Sequence, residues 1–244
     1  MPGVAHFINE RLRALGFEMA RYPPATHALS RRRRLMERTT TDLVLDVGAN
    51  TGQYVEELRR HQRYRGRVVS FEPLASAFEH LERSAHGDPL WEIWPVGLGA
   101  FCGSAELQVA GNSRSSSILP MLPAHLAAAP GSACVGTQGI EVRTLDSLFP
   151  AIVRDARRVW LKIDTQGYEH QVLAGAGSSL AHIDTIQMEM SLIRLYEGAP
   201  MLQQTLALMA GLGFRLVGLE PGFEDAASGE LLQADGLFRR SSAR

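Results

Sequence analysis

The sequence has one lysine, two cysteines and no long apolar run. Lys and Arg together number 25, and Lys162 is the only lysine among them. Cys102 and Cys134 lie far apart and form neither a CxxC motif nor a metal cluster, which favours reduced thiols in a cytoplasmic protein. No apolar run approaches the roughly 18 residues of a transmembrane helix. Charged side chains interrupt the N-terminal segment, so we expect no secretory signal.

The charge balance also argues against some partners. The formal net charge is −1, so no global field attracts the protein to nucleic acid. Apolar residues make up 45% and charged residues 21%, which is ordinary for a globular domain. A chain of 244 residues is long enough for one α/β domain with a short appendage. We therefore expect a cytoplasmic α/β domain that does not bind nucleic acid.

Residues 1–40 are predicted to form a helical extension, ahead of a main domain at residues 41–244. Apolar side chains recur at helical spacing over residues 4–20, with charged residues between them. These apolar residues are Val4, Phe7, Ile8, Leu12 and Leu15. A second short helix is expected to carry the arginine run from Arg31 to Arg34, which we interpret as a solvated helix face.

In the main domain, strand patterns alternate with helix patterns. The predicted strands are residues 43–47, 67–71, 90–96, 159–163, 184–190, 214–220 and 231–239. The predicted helices are residues 52–62, 74–84, a helix from about residue 168, and 201–211. Residues 97–143 are less regular, with short strands at AELQV and IEVRTL. This order predicts a doubly wound, mostly parallel sheet that closes with a C-terminal antiparallel hairpin.

The turn after the first strand, DVGANTG, predicts a ligand site. Gly48 allows a tight turn and a close approach to a ligand, and Gly52 lets the next helix begin close by. Asn50 tolerates a left-handed conformation. The turn is not GxGxxG, which weakens a pyrophosphate-binding interpretation. The acid in this turn, Asp46, would suit a ligand with a cationic or amine-bearing tail.

The acid at the end of the second strand, Glu72 in SFEP, extends this prediction. It lies 20 residues after Gly52, at the tip of the strand next to the first. A carboxylate there can accept both hydroxyl hydrogens of a ribose. The order and spacing of the two motifs favour a nucleoside site over a solvated strand end.

LDVGANTGQY followed by SFEP resembles motif I and the second-strand acid of class I S-adenosylmethionine-dependent methyltransferases. The further run of VGL, SRSSSIL, VRTLDSL, LKIDTQGYE, QMEMS and DGLFRR is similar to the FkbM family of O-methyltransferases, over about residues 43–239. This resemblance implies a seven-stranded Rossmann-like fold and methyl transfer to hydroxyls of sugars or polyketides. It also implies cofactor contacts, with the methionine part at Asp46, Gly48, Asn50 and Gly52, the ribose at Glu72, and the adenine near Gly97 and Leu98.

The only lysine lies in LKIDTQGYEH. Lys162 and Asp164 are two residues apart on a predicted strand, so their side chains should share one face. A lysine among apolar neighbours needs a partner, because desolvation of an unpaired charge is costly. Lys162 is therefore expected to orient Asp164 and keep it ionised. The family pattern here is often KIDVEGxE, and Gln166 stands where Glu is frequent, which argues against Gln166 as an essential acid or metal ligand.

A second acid, Glu189 in QMEMS, lies near the carboxyl end of the following strand. Neighbouring strands are about 5 Å apart, so Asp164 and Glu189 should converge beside the methyl group of the cofactor. One carboxylate could act as a general base on an acceptor hydroxyl. Alternatively, the pair could ligate Mg²⁺, which would lower the pKa of that hydroxyl. A purely structural network with Lys162 stays open as a third interpretation.

Acceptor contacts are predicted less sharply. The loop GNSRSSSILPM, residues 111–121, supplies hydroxyls for a polyhydroxylated acceptor, and Ser116 and Ser117 are the candidates. Tyr196 could form part of a lid over the acceptor together with Glu197. Glu169 begins a helix and could contact the acceptor or stabilise the helix start. His170 is expected on the surface.

The role of the N-terminal helix stays open. It could cover the acceptor pocket, form a homodimer, or rest on a membrane that carries a glycolipid acceptor. The arginine run would assist the last option by attracting anionic headgroups at the inner face of the membrane.

The leading functional hypothesis is an S-adenosylmethionine-dependent O-methyltransferase that acts on a sugar, a glycolipid or a similar small acceptor. One alternative is a protein that binds S-adenosylmethionine without catalysis, although the retained acids Asp164 and Glu189 speak against it. Another is a nicotinamide-dependent oxidoreductase, which the lack of GxGxxG disfavours. Methylation of nucleic acid is not expected, because the sequence has neither a basic balance nor an NPPY or DPPY motif.

Overall fold

The computed structural model describes residues 4–19, 22–25 and 27–241. The α-helices are α1 (Val4–Arg13), α2 (Ala28–Thr39), α3 (Gln53–Arg60), α4 (Ala75–Ala85), α5 (Pro123–Ala128), α6 (Leu145–Val153), α7 (Glu169–Ala174) and α8 (Leu202–Gly211). The strands are β1 (Leu43–Val47), β2 (Arg67–Phe71), β3 (Trp91–Trp94), β4 (Gly97–Leu98), β5 (Gly103–Ala110), β6 (Cys134–Arg143), β7 (Val159–Ile163), β8 (Ile183–Ser191), β9 (Phe214–Pro221) and β10 (Gln233–Arg240). Short 3₁₀ turns at Pro130–Ser132 and Ser179–His182 complete the described elements.

The main sheet has seven strands in the order β3-β2-β1-β7-β8-β10-β9. Neighbouring strands from β3 to β8 run parallel, whereas β10 is antiparallel to both β8 and β9. The predicted seven-stranded, mostly parallel sheet with an antiparallel C-terminal pair is thus confirmed. The last strand inserts between β8 and β9, which brings its side chains next to those of β8.

The central strands are buried because helices cover both faces of the sheet. Every residue of β1 and of β7 is buried, as expected for short apolar runs in the middle of a parallel sheet. On one face, Val55, Leu58 and Leu81 from α3 and α4 pack in a cluster with β1 and β2. On the other face, side chains from α6, α7 and α8 form the larger cluster. Because β1, β2, β7 and β8 run parallel, their carboxyl ends meet at one edge of this buried layer.

The segment predicted as irregular forms a second sheet of three strands, in the order β4-β6-β5. The two strands expected there are longer than predicted and pair antiparallel from Gly103 to Ala110. The helix α6 was not predicted, and its internal Pro150 is the reason, since proline usually ends a helix. Thr144 caps its start by accepting a hydrogen bond from the Ser147 N–H at 3.2 Å.

The N-terminal residues differ from the prediction in two respects. The helix α1 ends at Arg13, well short of residue 20, because a turn with Gly16 at φ 77° follows it. The arginine run is not wholly a solvated face: the Arg32 side chain is 11% exposed and pairs with Glu57 and Glu220, whereas Arg34 is exposed. In the described ranges, no helix is long and apolar enough to cross a membrane.

Candidate active site

A cavity of about 600 Å³ opens at the carboxyl ends of β1, β2, β7 and β8. This is the edge of a parallel sheet where ligands bind in doubly wound folds, and the volume suits a small-molecule ligand. The loop at residues 112–118 covers the cavity from the side of the three-stranded sheet. The predicted cofactor motifs and the predicted acid pair therefore face one continuous space.

The turn after β1 forms the floor of one end of the cavity. Gly48 has φ 74°, and a Cβ there would lie 1.9 Å from the carbonyl oxygen of Asp164, so only glycine fits. Asn50 adopts the left-handed conformation at φ 47° and lines the cavity. Gly52, at φ 95°, begins α3 and packs against Trp91 behind the cavity wall, so it shapes the turn without facing a ligand.

Glu72 occupies the position predicted for a ribose contact. Its carboxylate lines the cavity and accepts hydrogen bonds from the N–H of Asn50 at 2.7 Å and of Leu74 at 2.8 Å. Burial raises the pKa of Glu72 to about 7, although both N–H groups favour the charged form. Each oxygen keeps a lone pair, so the fixed carboxylate can accept two ligand hydroxyls.

An apolar slot lies beside Glu72. Gly97 and Leu98, predicted near the adenine, line it together with Leu107 of β5 and Ile140 of β6. The three-stranded sheet therefore supplies one wall of the slot. Apolar side chains of this kind suit a heterocyclic base, and no pattern in the sequence predicted the contributions of β5 and β6.

Asp46 does not line the cavity. It is fully buried, and its Oδ1 lies 3.2 Å from the Nζ of Lys162, while Ser70 donates a hydrogen bond to Oδ2 at 3.2 Å. The expectation that Asp46 contacts a ligand amine therefore needs correction, because the carboxylate lies behind the wall. Its place is fixed by strand pairing, in which Asp46 of β1 stands directly beside Lys162 of β7.

Lys162 is buried among acids, as expected, but its nearer partner differs from the prediction. Nζ lies 3.2 Å from Asp46 and 3.5 Å from Oδ2 of Asp164, and it donates a hydrogen bond to the Gly48 carbonyl at 3.2 Å. Burial opposes the charge of the ammonium, but the two carboxylates outweigh that effect and raise its pKa. Lys162 thus links the floor of the cavity to Asp164, and it lies over the ring of Tyr54 at 5.5 Å.

The two predicted acids, Asp164 and Glu189, converge at the other end of the cavity. The side-chain amide of Gln166 donates to Asp164 Oδ1 and to Glu189 Oε2, each at 2.9 Å. Gln233 of β10 donates a further hydrogen bond to Glu189 Oε2 at 2.6 Å. Burial, followed by the charges of Asp164 and Glu169, raises the pKa of Glu189 well above its ordinary value. The sequence interpretation considered Gln166 only as a departure from the family pattern, with no role at the acids, and it missed Gln233.

A third acid, Asp235 of β10, also faces this end and was not predicted. It stands directly opposite Glu189 in the β8–β10 ladder. Like charges at directly opposite positions destabilise a sheet, and burial raises the pKa of Asp235. Gln187 donates to Asp235 at 3.3 Å and accepts from the Tyr54 hydroxyl at 2.9 Å. The signal in the sequence was the polar pair Gln187 and Glu189, which alternates with the apolar residues Ile186, Met188 and Met190.

The predicted serines of the covering loop line the cavity, but their hydroxyls are already engaged. Ser117 donates to the backbone carbonyl of Gln166 at 2.8 Å, and Ser116 accepts from the Ala110 N–H at 3.0 Å. Ser113 connects the covering loop to the cofactor end of the cavity, since its hydroxyl accepts a hydrogen bond from the Asn50 side-chain amide at 3.2 Å. The serines therefore hold the loop in place over the site.

The other expected acceptor contacts lie behind the cavity wall. One oxygen of Glu169 accepts hydrogen bonds from the N–H groups of Thr165 and Gly167, and burial raises its pKa to about 7. Tyr196 is fully buried, with its hydroxyl 2.8 Å from Oε1 of Gln166. These two residues shape the loop that carries Gln166 and do not line the cavity.

His170 and Glu197, which follow Glu169 and Tyr196 in the sequence, do not line the cavity. His170 is half-buried and contacts the Thr205 hydroxyl at 3.0 Å, next to a smaller, separate cavity. Glu197, the other candidate for a lid, is exposed.

This sheet order, with a glycine-rich turn after the first strand and an acid at the end of the second, defines a class I S-adenosylmethionine-dependent methyltransferase. The family model described as the methyltransferase FkbM domain matches residues 46–216. The chain belongs to the FkbM methyltransferase family. Among curated proteins, none matches this sequence.

Solved structures with a similar chain path share little sequence with it. An S-adenosylmethionine-dependent methyltransferase from Clostridium acetobutylicum is 9% identical, with a TM-score of 0.48 and 98% of each chain covered. A Listeria monocytogenes protein is 7% identical, with a TM-score of 0.49 and coverage of 89% of this chain and 69% of that one. A Streptococcus pneumoniae protein in complex with S-adenosyl-L-methionine is 9% identical, with a TM-score of 0.47 and coverage of 88% and 74%.

Proposed function

We propose that this methyltransferase transfers the methyl group of S-adenosylmethionine to a hydroxyl of a sugar, a glycolipid or a similar polyhydroxylated small acceptor. The observation that carries the proposal is the carboxylate of Glu189. Amides of Gln166 and Gln233 hold its Oε2, and Oε1 has no hydrogen-bond partner among the described residues. Because Glu189 lines the cavity, that oxygen is available to an acceptor.

The residues present fit the cofactor. S-adenosylmethionine supplies an electrophilic methyl group on a positively charged sulfur. Glu72 would hold the ribose, and Leu98, Leu107 and Ile140 would enclose the adenine. The floor at Gly48 and Asn50 lets the methionine part approach the backbone closely. Asp164 would place its negative charge on the side of the sulfur.

Glu189 is the better candidate for a general base. Both oxygens of Asp164 are engaged, Oδ1 by Gln166 and Oδ2 by Lys162. Glu189 keeps an open oxygen, and burial together with the charge of Asp164 raises its pKa, which makes its carboxylate a stronger base. Its Oε1 would accept the acceptor's hydroxyl proton while the hydroxyl oxygen bonds to the methyl carbon and the carbon–sulfur bond breaks.

The lining of the acceptor end supports a polyhydroxylated molecule. Asp235, Gln187, Gln233 and Arg32 all line this part of the cavity and together offer both acceptors and donors. Several hydroxyls on one small molecule can use such a set. A large apolar acceptor would leave these polar groups unpaired, at a cost for each.

A glycolipid acceptor agrees with the exposed apolar side chains near the N-terminus. Phe7, Leu15 and Phe17 are each more than 60% exposed. Side chains of this type could rest on the inner face of a membrane, as an amphipathic helix does. Cytoplasmic location, membrane contact and a homodimer stay predictions that follow from the proposed acceptor and from the sequence.

The test begins with calorimetric titration of S-adenosylmethionine and S-adenosylhomocysteine into the wild type and into Glu72→Ala. Binding that weakens in the variant is expected. A panel of sugars, glycolipids and other polyols is then screened for release of S-adenosylhomocysteine. Binding without transfer to any acceptor would favour the non-catalytic alternative. Binding of a nicotinamide cofactor instead would contradict the proposal.

A further inference from the structure

The position between Asp164 and Glu189 is already filled by a protein group. A Mg²⁺ ion shared by two carboxylates would lie about 2.0–2.1 Å from one oxygen of each. Here the Nε2 of Gln166 lies 2.9 Å from Asp164 Oδ1 and 2.9 Å from Glu189 Oε2, and it donates a hydrogen bond to each. The amide therefore lies where a bridging cation would lie, and it supplies one N–H to each acid.

Protein donors occupy three of the four carboxylate oxygens of the pair, and only Oε1 of Glu189 is open. Asp164 Oδ2 faces the ammonium of Lys162 at 3.5 Å, and a metal there would meet a fixed positive charge. Glu189 Oε2 accepts a second amide hydrogen from Gln233 at 2.6 Å. Among the residues that the structure describes, no group of three or more His, Cys, Asp or Glu side chains is arranged to hold a metal ion. The donor set thus does not fit Mg²⁺.

Several contacts fix the amide in this orientation. Its Oε1 lies 2.8 Å from the hydroxyl of Tyr196, on the side away from the acids. The backbone of Gln166 is in the left-handed conformation at φ 56°, and its carbonyl accepts the Ser117 hydroxyl at 2.8 Å. A flipped amide would point its carbonyl oxygen at two carboxylates, so the observed orientation is the one that the acids favour.

We infer that the Gln166 side-chain amide takes the place of a metal ion between Asp164 and Glu189, so that it positions the acid pair without a metal. Glutamine suits this role because its NH₂ group can donate to both acids at once. Gln166 is a positioning residue, since it holds Oε2 of Glu189 and thereby orients Oε1, the oxygen that faces the acceptor. The effect of Gln166 on catalysis rests on the proposed function. That its amide occupies the position between the two acids, in place of a metal ion, does not.

Metal binding tests the inference without any acceptor. Mn²⁺ is titrated into the wild type, Gln166→Glu and Gln171→Glu, with free Mn²⁺ followed by electron paramagnetic resonance at pH 8. Gln171 is exposed on α7, so its variant adds the same charge without touching the acid pair. The wild type should bind no Mn²⁺ up to about 1 mM, and Gln166→Glu should bind at least about tenfold more tightly than Gln171→Glu, because three carboxylates then converge.

Two results of the titration would overturn the inference. One is Mn²⁺ binding by the wild type that disappears in Asp164→Asn. The other is a Gln166→Glu variant that binds no more tightly than Gln171→Glu. Binding of S-adenosylhomocysteine is measured on the same samples, so failure of the cofactor assignment would be seen separately from failure at the acid pair.

The positioning role is tested by the kinetics of Gln166→Ala, with an acceptor found in the screen described above. We expect kcat to fall about 100-fold with little change in the KM for the cofactor, since loss of the amide lets the base move by about 1 Å. EDTA should leave the wild-type rate unchanged. An unchanged kcat in Gln166→Ala, or a wild-type rate that EDTA abolishes and Mg²⁺ restores, would contradict the role.

Discussion

The two ends of the cavity hold their acids by different means. At the cofactor end, backbone N–H groups of Asn50 and Leu74 fix Glu72. At the acceptor end, side-chain amides of Gln166 and Gln233 fix Glu189. Backbone donors are present whatever the side chains are, so the fold itself sets the cofactor end. The acceptor end depends on particular side chains from separate elements, and single substitutions can change it without changing the fold.

The largest effect is expected at the acceptor end. Glu189→Gln removes the proposed base and should lower kcat by about 1000-fold, since general bases contribute about 10²–10⁴-fold. The affinity for S-adenosylhomocysteine should change little. The measurement is steady-state methyl transfer beside calorimetric titration, with Glu224→Gln at an exposed position as the control. Equal losses in kcat and in cofactor affinity would erase the distinction between the two ends.

Lys162 connects the two ends of the cavity, and we expect its loss to destabilise the protein. Lys162→Met leaves Asp46 charged, buried and unpaired, and should lower the free energy of unfolding by about 3–5 kcal/mol. Urea denaturation of the protein without cofactor measures the change. Arg34→Met, which removes an exposed cation, serves as the control. A loss no larger than that of the control would contradict the pairing of Lys162 with Asp46.

A conservative change at the same position separates charge from geometry. Lys162→Arg keeps the positive charge, but its wide planar fork fits poorly in a strand that is packed on both faces. We expect activity to fall more than cofactor affinity, because Asp164 is displaced while the ribose contact stays. An unimpaired Lys162→Arg enzyme would refute this role for the lysine.

The buried Glu169 gives a pH dependence of definite sign. Its folded pKa of about 7 lies above the ordinary value of 4.5, so its contribution to stability is present below pH 4.5 and is lost as pH rises through 7. Glu169→Gln cannot ionise and keeps an oxygen for the N–H groups of Thr165 and Gly167. The unfolding free energy of the variant relative to wild type should therefore rise by on the order of 3 kcal/mol between pH 5 and pH 8. Parallel curves of unfolding free energy against pH for the two proteins would contradict the raised pKa of Glu169.

The smallest effect is expected at the cofactor end. Glu72→Ala should weaken S-adenosylhomocysteine binding by about 10–100-fold, the value of hydrogen bonds to a charged group. Because the pKa of Glu72 is about 7 without ligand, wild-type affinity should fall as pH drops from 8 to 6, and Glu72→Gln should lose that dependence. Calorimetric titration at both pH values checks both points. Equal affinity of Glu72→Ala and wild type would remove the ribose contact from the proposal.

The features that the sequence could predict are the local ones, as at the cofactor end of the cavity. The strands β1, β2 and β7 were predicted to the residue, because each is a short apolar run bounded by turn residues. The three-stranded sheet was not recognised, because β5 and β6 are largely exposed and lack a clear alternation. The turn at Gly48 was predictable because its requirement for glycine is local.

The acid pair was predicted to converge, but its surroundings were not. The role of Gln166 depends on Asp164, on Glu189 from another strand and on Tyr196 from a later loop. The Asp46 partner of Lys162 could not be predicted either, because it requires the pairing of β1 with β7, which are more than 100 residues apart. Such contacts follow from strand order, which no single stretch of sequence contains.

Because Lys162 is buried, chemical labelling of this one side chain can report how often the protein opens. No other side chain carries a primary amine. Lys162 is 8% exposed, and its two neighbouring carboxylates keep its ammonium charged. An acylating reagent reacts only with the neutral amine, so Lys162 is labelled when the structure around it opens and separates the ammonium from Asp46 and Asp164. The rate at which the peptide containing Lys162 gains the label therefore measures how often the molecule opens. A cofactor analogue that seals the cavity should slow that labelling.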